Sequence, residues 1–499
     1  MLIETTRPQT FTTAGVEKRS VLRAFFSFPM AQAALLIVVA ACTVRGRLSD
    51  PDLWWHLKTG ELIWRTHSIP HFDLFSFTVA GQPWTAQEWL SEVTIYGAYR
   101  WAGYSGLMAW LFLLAAAIVL GGYLLCTVYS GSVNAGFLGG MITWVFATVG
   151  FAVRPHMLGF LILLCELLVL ELGRKRDSRW FYALPPLFAL WINVHGSFII
   201  GFVILAAVLA SAFLHVEWGL VAARPWPRKT AKTLALAGAL AIPALFCNPV
   251  GPKLIWYPID VMFHQPLNLR SITEWQPPDL GSMRGVLLLI ITGAIVLAAL
   301  IRSAKVHIHE LLLLAVFFYF AARHERMEFP FGILAAPILC RLLADAWDRY
   351  HPESDRIVPN AVLMLIAAAA VALAFPGSRA LAGQVNKANP VKAVEFLQQS
   401  GLSGRMLNDY GYGGYLIWAA PERPVFIDGR ADVYEPAGVL ADYMRFVLLD
   451  ADPEALLSKY RIDYCLFAQE ERIARVLPLI PGWKKIYSDE KAVIFAKKH

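Results

Sequence analysis

The sequence predicts a polytopic α-helical membrane protein of about eleven transmembrane helices, carrying a small C-terminal α/β domain outside the cytoplasm. Three observations predict it. Of 499 residues, 57% are hydrophobic and only 16% are charged, where a soluble globular chain carries about 25% charged residues. The apolar residues come in blocks long enough to cross ~30 Å of hydrocarbon. The basic residues stand in short clusters between those blocks, so the net charge of +7 reads as membrane topology rather than a nucleic-acid footprint. A mainly disordered, collagen-like or disulfide-stapled chain is excluded. The six cysteines form no CxxC pair and read as small buried hydrophobes.

The elements follow in order. Residues 1–23 are the expected cytoplasmic N-terminus, with Arg7, Lys18, Arg19 and Arg23 before the first apolar block. That block, 24–44, is too long for a secretory h-region and reads as an uncleaved anchor. Further blocks lie at 105–126, 133–152, 157–173, 180–193, 197–216, 233–247, 285–301, 308–322, 328–345 and 359–376. The fifth block is short and contains Pro185-Pro186, which predicts a broken or tilted span. Arg174-Lys175-Arg176 follows the fourth block. Arg228, Lys229 and Lys232 follow the sixth, Arg302 and Lys305 the eighth, and Arg341 and Arg349 accompany the tenth. All fall on one side, which the positive-inside rule makes cytoplasmic. The transmembrane region is then 24–384, with a first outer loop at 45–104. Residues 385–499 form an extracytoplasmic domain.

This parity gathers unusual ionisable residues at one face. The first outer loop opens Asp50-Pro51-Asp52-Leu53-Trp54-Trp55-His56. Leu53, Trp54, Leu57, Ile63 and Trp64 predict an interfacial amphipathic helix. Glu88-Trp89 opens a second, running to about Trp101. The same face receives Arg154-Pro155-His156, Asn193-Val194-His195-Gly196, the long loop 248–284 with Glu274, and Arg323-His324-Glu325-Arg326. A single ionisable group at a span boundary reads as a snorkelling side chain. Five such clusters on one face predict a shared polar cavity, because each group is costly there without water, a partner or a ligand.

Two carboxylates one residue apart can bind a divalent cation such as Mg²⁺ or Mn²⁺ through hard oxygen ligands. One of them can instead act as general base toward a hydroxyl. Plainer readings are helix capping by Asp52 and an i,i+4 pair between Asp52 and His56. For Glu88 the plainer reading is pairing with a helix N-terminus; for Glu274 it is a solvated loop. Arg154, Arg323 and Arg326 offer forked donors for an anionic phosphate, and His56, His156, His195 and His324 add hydrogen bonds.

From about Pro390 the composition becomes that of a soluble domain. Strands are predicted at 405–408, 424–427, 464–467, 484–487 and 492–495. Helices are predicted at 390–399, 411–419, 436–448, 453–460 and 470–478. The alternation predicts a small α/β layer. Asp428 and Arg430 follow a strand, as a ligand-facing strand end or as a turn held by an Asp–Arg pair.

With these residues in view, the sequence resembles the GT-C class of integral-membrane glycosyltransferases, which includes protein O-mannosyltransferases, lipid A aminoarabinose transferases and oligosaccharyltransferase catalytic subunits. It is similar to a set of bacterial membrane proteins at Asp50-Pro51-Asp52-Leu53-Trp54-Trp55-His56-Leu57, Arg154-Pro155-His156, Asn193-Val194-His195-Gly196-Ser197 and Phe426-Ile427-Asp428-Gly429-Arg430. The resemblance implies transfer of a sugar from a polyprenyl-phosphate donor to a glycan, lipid or protein acceptor at the outer face of a bacterial inner (plasma) membrane, with no nucleic acid involved. It implies that a first-loop acid, Asp50 or Asp52, is catalytic, beside Glu274. His56, Glu88, Arg154, His156, His195, Arg323, His324 and Arg326 are the expected substrate-binding residues. Oligosaccharyltransferases begin their outer domain with Trp-Trp-Asp-Tyr-Gly. Here Leu407-Asn408-Asp409-Tyr410-Gly411 keeps Asp-Tyr-Gly without the tryptophans, which makes Asp409 and Tyr410, with Asp428 and Arg430, the acceptor-side candidates. The competing readings are a transporter or flippase of a lipid-linked or anionic substrate, whose path intramembrane charges would also mark, and a non-catalytic scaffold.

Overall fold

The computed structural model describes residues 21–347 and 349–498. Arg7, Lys18 and Arg19, which contribute to the expected side assignment, lie outside the described residues, as does most of the N-terminal segment 1–23. Every apolar block falls on a helix: Phe28–Val44, the later part of Trp89–Ser130, Val133–Ala147, His156–Lys175, Leu184–Val194, Phe198–Ser211, Arg228–Ala244, Met283–Ile301, Ile308–Arg323, Glu328–Leu343 and Ile357–Ala374. Among the described residues, six helices are long and apolar enough to cross a membrane, and Phe28–Val44 and Phe198–Ser211 are apolar but shorter. The chain is a membrane protein. The fifth block is the short helix Leu184–Val194, with a proline in its first turn, where no intrahelical donor is lost.

Burial sorts the helices. Glu328–Leu343 is buried along nearly its whole length, whereas Ile357–Ala374 buries only Ala367 and Ala374 and presents its apolar surface outward. Close packing inside the bundle rests on small residues. A Cβ on Gly139 would stand 2.3 Å from the Cys126 sulfur, so Val133–Ala147 approaches its neighbour at a distance only glycine permits.

Two helices precede the second apolar block, as the first-loop pattern predicts. Leu53–Thr66 buries Leu53, Trp54, His56, Leu57, Gly60 and Ile63 along one face. The helix from Trp89 breaks at Ala102 and at Gly103, where φ is +56°. Glycine is the residue for that backbone. The break separates a surface helix from the apolar helix that continues to Ser130. The two surface helices touch closely: a Cβ on Gly60 would lie 2.1 Å from the carbonyl oxygen of Glu92. The long segment 248–284 is more ordered than its loop-like composition suggests. It folds into Pro252–His264, Pro266–Ser271 and the 3-10 turn Thr273–Trp275. Trp256, Met262 and Phe263 on the first of these are exposed, as on an interfacial helix.

The strands β1 (Val216–Trp218), β2 (Val221–Ala223) and β3 (Val306–His307) form a small sheet between helices; strands of two or three residues are too short to show a period of two in the residue pattern. The C-terminal sheet contains β4 (Met406–Asn408), β5 (Tyr464–Ala468), β6 (Trp483–Ser488) and β7 (Ala492–Lys497) in the order β4-β5-β7-β6. β4 and β5 run parallel, while β7 is antiparallel to both β5 and β6. Four of the five predicted strands are present. The fifth, 424–427, is not a sheet strand, because its backbone groups are taken elsewhere. Phe426 N–H donates to Asn408 Oδ1, and Asn408 Nδ2 donates to the Ile427 carbonyl, each at 2.8 Å. Val425 bridges to Ser76 of the first loop. The buried amide of Asn408 thus acts as the missing neighbouring strand.

Candidate active site

The site is built where loop ends meet at one end of the helix bundle. Asp50 and Asp52 follow Phe28–Val44. Pro51 bends the chain, and the Asp52 amide donates to Asp50 Oδ1 at 2.9 Å, an Asx-type turn. Asp52 occupies the N-cap position of Leu53–Thr66 but makes no side-chain cap bond. Its carboxylate instead accepts from Trp55 Nε1 at 3.2 Å and faces Arg154. The capping reading and the Asp52–His56 pair are therefore not what the fold uses.

Arg154 sits in the turn before His156–Lys175. Three of its nitrogens each meet a different carboxylate at 2.8 Å: Nε meets Asp50 Oδ2, Nη2 meets Asp52 Oδ2, and Nη1 meets Glu274 Oε1. Of the three, only the Nη1 contact with Glu274 is also a hydrogen bond; those with Asp50 and Asp52 are ion pairs. Glu274 comes from the 3-10 turn Thr273–Trp275, which His324 holds by a 2.6 Å contact from Nδ1 to the Trp275 carbonyl. Burial pushes the Asp52 carboxyl up to about 6; Arg154 opposes that rise, while Asp50 and Glu274 add to it. Burial alone would raise Glu274 too, but Arg154 and Arg326 outweigh it and hold it below the usual glutamate value.

A second group adjoins the first. Glu88 Oε1 lies 3.2 Å from His195 Nε2, and Glu88 Oε2 lies 3.9 Å from His56 Nε2. The other ring nitrogen of His56 contacts Glu92 Oε1 at 3.1 Å. The Ser197 amide donates to His195 Nδ1 at 3.1 Å, so the neutral ring carries its proton on Nε2 and donates it to Glu88. Arg326 brings Nη2 to 3.4 Å from His195 Nε2 and stacks over Trp275 at 5.3 Å. Burial, then Arg326, His156 and His56, hold His195 well below the usual histidine value. Burial, then Arg154 and His156, do the same for His56. Glu88 is pushed up to about 8 by burial, against the pull of Arg326 and Arg154. It therefore carries a proton at neutral pH. Two acids with separated proton affinities, one near 6 and one near 8, stand beside neutral imidazoles and a guanidinium. This arrangement suits proton transfer in both directions.

The remaining candidates are placed as follows. His156 pins its own loop through a 2.6 Å contact from Nε2 to the Gly150 carbonyl and lies 6.3 Å, ring to ring, from His195. Arg323 is not brought to the acids; it is exposed and lies over Tyr319 at 5.3 Å. Asp409 caps the helix Tyr410–Ala419 by accepting from Gly411 N–H at 2.8 Å. Tyr410 donates its hydroxyl hydrogen to the Gly429 carbonyl at 3.3 Å, and Gly429 touches the acids, since a Cβ there would lie 1.9 Å from Asp52 Oδ1. Asp428 and Arg430 are fully buried and pair with each other. Arg430 also meets Asp73 at 2.7 Å, and its guanidinium is stacked against Phe75 and Trp84 at 4.9 and 4.6 Å. Tyr434 donates to Asp428 at 2.5 Å. These residues form a buried clasp between the C-terminal region and the first loop.

Sequence reasoning passed over Glu92, Asp73 and Arg284. Glu92 stands one helical turn after Glu88, and that spacing was a readable signal. Arg284 pairs with Glu325 and, at 2.9 Å, with Glu328; nothing local marked it or Asp73. Among the described residues, no group of three or more His, Cys, Asp or Glu side chains is arranged to hold a metal ion.

The fold is shared with solved membrane proteins. The oligosaccharyltransferase of Archaeoglobus fulgidus, tethered with an acceptor peptide containing the NVT sequon, aligns with a TM-score of 0.56 at 14% identity, over 95% of this chain and 75% of that one. The same archaeal protein, AglB, in complex with an inhibitory peptide and a dolichol-phosphate, gives 0.54 at 14% identity, over 88% and 69%. ArnT from Cupriavidus metallidurans, bound to undecaprenyl phosphate, gives 0.53 at 15% identity, over 93% and 97%. At such identities the likeness is one of fold, and the fold is of the GT-C type. No family model matches the sequence, and no curated protein matches it significantly.

Proposed function

We propose that this protein is a glycosyltransferase that moves a sugar from a polyprenyl-phosphate-linked donor to an acceptor on the extracytoplasmic face of the bacterial inner membrane. One observation carries the reading: the first-loop aspartates, far apart in sequence from Arg154, Glu274, His195 and Arg326, converge with them at one end of a bundle of this fold. The lipid phosphates bound by AglB and ArnT support the donor class.

The residues divide the work. Asp52, or Asp50 beside it, accepts the proton of an acceptor hydroxyl. The hydroxyl oxygen attacks the anomeric carbon, and the bond to the lipid phosphate breaks. The departing phosphate keeps that electron pair and is stabilised by the Arg326 guanidinium. Glu88, protonated at neutral pH, can hand it a proton. Glu274 and Arg154 hold the aspartates in position. Residues 385–499, clasped to the first loop through Asp73 and Arg430, cover the acids and meet the acceptor. The cationic clusters face the cytoplasm, and residues 24–384 cross the membrane about eleven times.

The test is to incubate the purified protein with labelled polyprenyl-phosphate sugars. Donor consumption supports the reading. Movement of intact donor across a vesicle membrane, with its phosphate–sugar bond unbroken, would replace it with transport.

A further inference from the structure

We infer that Arg154 stands where a divalent cation would have to bind, so that the acidic centre is organised by a guanidinium and takes up no metal. Hard cations such as Mg²⁺ and Mn²⁺ need oxygen ligands converging on one point at roughly 2.0–2.2 Å. Here the three oxygens that could converge, Asp50 Oδ2, Asp52 Oδ2 and Glu274 Oε1, are instead each directed at a separate nitrogen of one guanidinium, 2.8 Å away. A cation within bonding distance of all three would overlap that group.

The second oxygens of the two aspartates are engaged as well. Asp50 Oδ1 accepts the Asp52 amide. Asp52 Oδ1 accepts the Trp55 indole and abuts Gly429. Nitrogen ligands are equally engaged, since the rings of His56 and His195 contact Glu88, Glu92 and the Ser197 amide rather than the aspartates. Arg154 cannot leave by losing its proton, and its planar fork matches several carboxylates at once in a way a lysine would not. It therefore acts as a permanent positioning cation, fixing the two aspartates while leaving their charge only partly neutralised.

The test has two arms. In the first, Mn²⁺ binding to the purified full-length protein is followed by the electron-paramagnetic signal of free Mn²⁺. The wild type is expected to take up no Mn²⁺ saturably. Arg154→Met, which leaves three carboxylates without their cation, is expected to gain one saturable Mn²⁺ site, and adding Asp52→Asn to it is expected to remove that site. Saturable Mn²⁺ uptake by the wild type that Asp50→Asn or Asp52→Asn abolishes overturns the inference, as does a folded Arg154→Met protein that binds none. If Arg154→Met does not fold, the wild type and its aspartate variants decide alone. The second arm rests on the proposed transfer reaction: donor consumption is expected to be unchanged by EDTA, and inhibition reversed by added Mn²⁺ overturns the inference. Failure to consume donor at all counts against the transfer reading and leaves the Mn²⁺ results standing.

Discussion

Replacing Glu88 by Gln should change how the protein's stability responds to pH. The fold holds the Glu88 carboxyl at about 8 against an ordinary 4.5, first by burial. A carboxyl raised in this way is neutral in the folded protein, and unfolding releases it to ionise. Below pH 4.5 both states are protonated and the group is neutral in its effect. As pH rises from there, the unfolded state loses its proton first, so stability falls, by up to about 1.4 kcal/mol per pH unit. The loss is complete once pH passes about 8, and the whole interval corresponds to roughly 5 kcal/mol as an upper bound. The amide keeps an acceptor oxygen for the His195 Nε2–H at 3.2 Å but cannot ionise. Glu88→Gln should therefore match the wild type near pH 5 to within a kcal/mol or so and exceed it increasingly up to pH 8.5. The assay is denaturation of both proteins in the same detergent at a series of pH values, followed by tryptophan fluorescence. Parallel stability curves across that range would refute the argument, because they would mean Glu88 already carries its charge in the fold.

Further outcomes are expected at neighbouring residues. Asp50→Asn or Asp52→Asn should lower transfer by about 10²–10⁴-fold with normal membrane expression; full activity in both single variants removes them from the chemistry. Because burial raises Asp52 to about 6, its basic form is present only above that value. Transfer should decline roughly tenfold per pH unit below it, and a rate flat down to pH 5 contradicts this role. Arg430→Met leaves Asp73 and Asp428 buried without their cation. It should cost about 3–5 kcal/mol and expose the C-terminal region to limited proteolysis, which a digestion time course would read. Gly429→Ala forces a methyl against Asp52 and should cost about 1–3 kcal/mol along with activity, whereas Gly377→Ala, with nothing within 4 Å, should leave the melting temperature unchanged.

Much of this architecture could be read from residue order alone. The apolar blocks predicted helices because a lipid environment leaves the backbone no other way to satisfy its polar groups. The meeting of Asp50, Asp52, Arg154 and Glu274 followed from asking which loops share a side. What escaped was pairing at long sequence separation. Asp73 looked like any loop aspartate until Arg430 was seen beside it. Arg323 and Arg326 could not be told apart by charge, since a three-residue difference at a helix end sends one toward Tyr319 and the other toward Trp275. The segment 424–427 had the composition of a strand, yet the amide of Asn408 claimed its hydrogen bonds.

The approach of Gly429 to Asp52 brings together an early and a very late portion of the polypeptide. A ribosome delivers the first-loop acids long before the residues that will lie against them have been made. A nascent chain that has not yet reached Gly429 therefore holds its first-loop aspartates without the backbone that will lie against them.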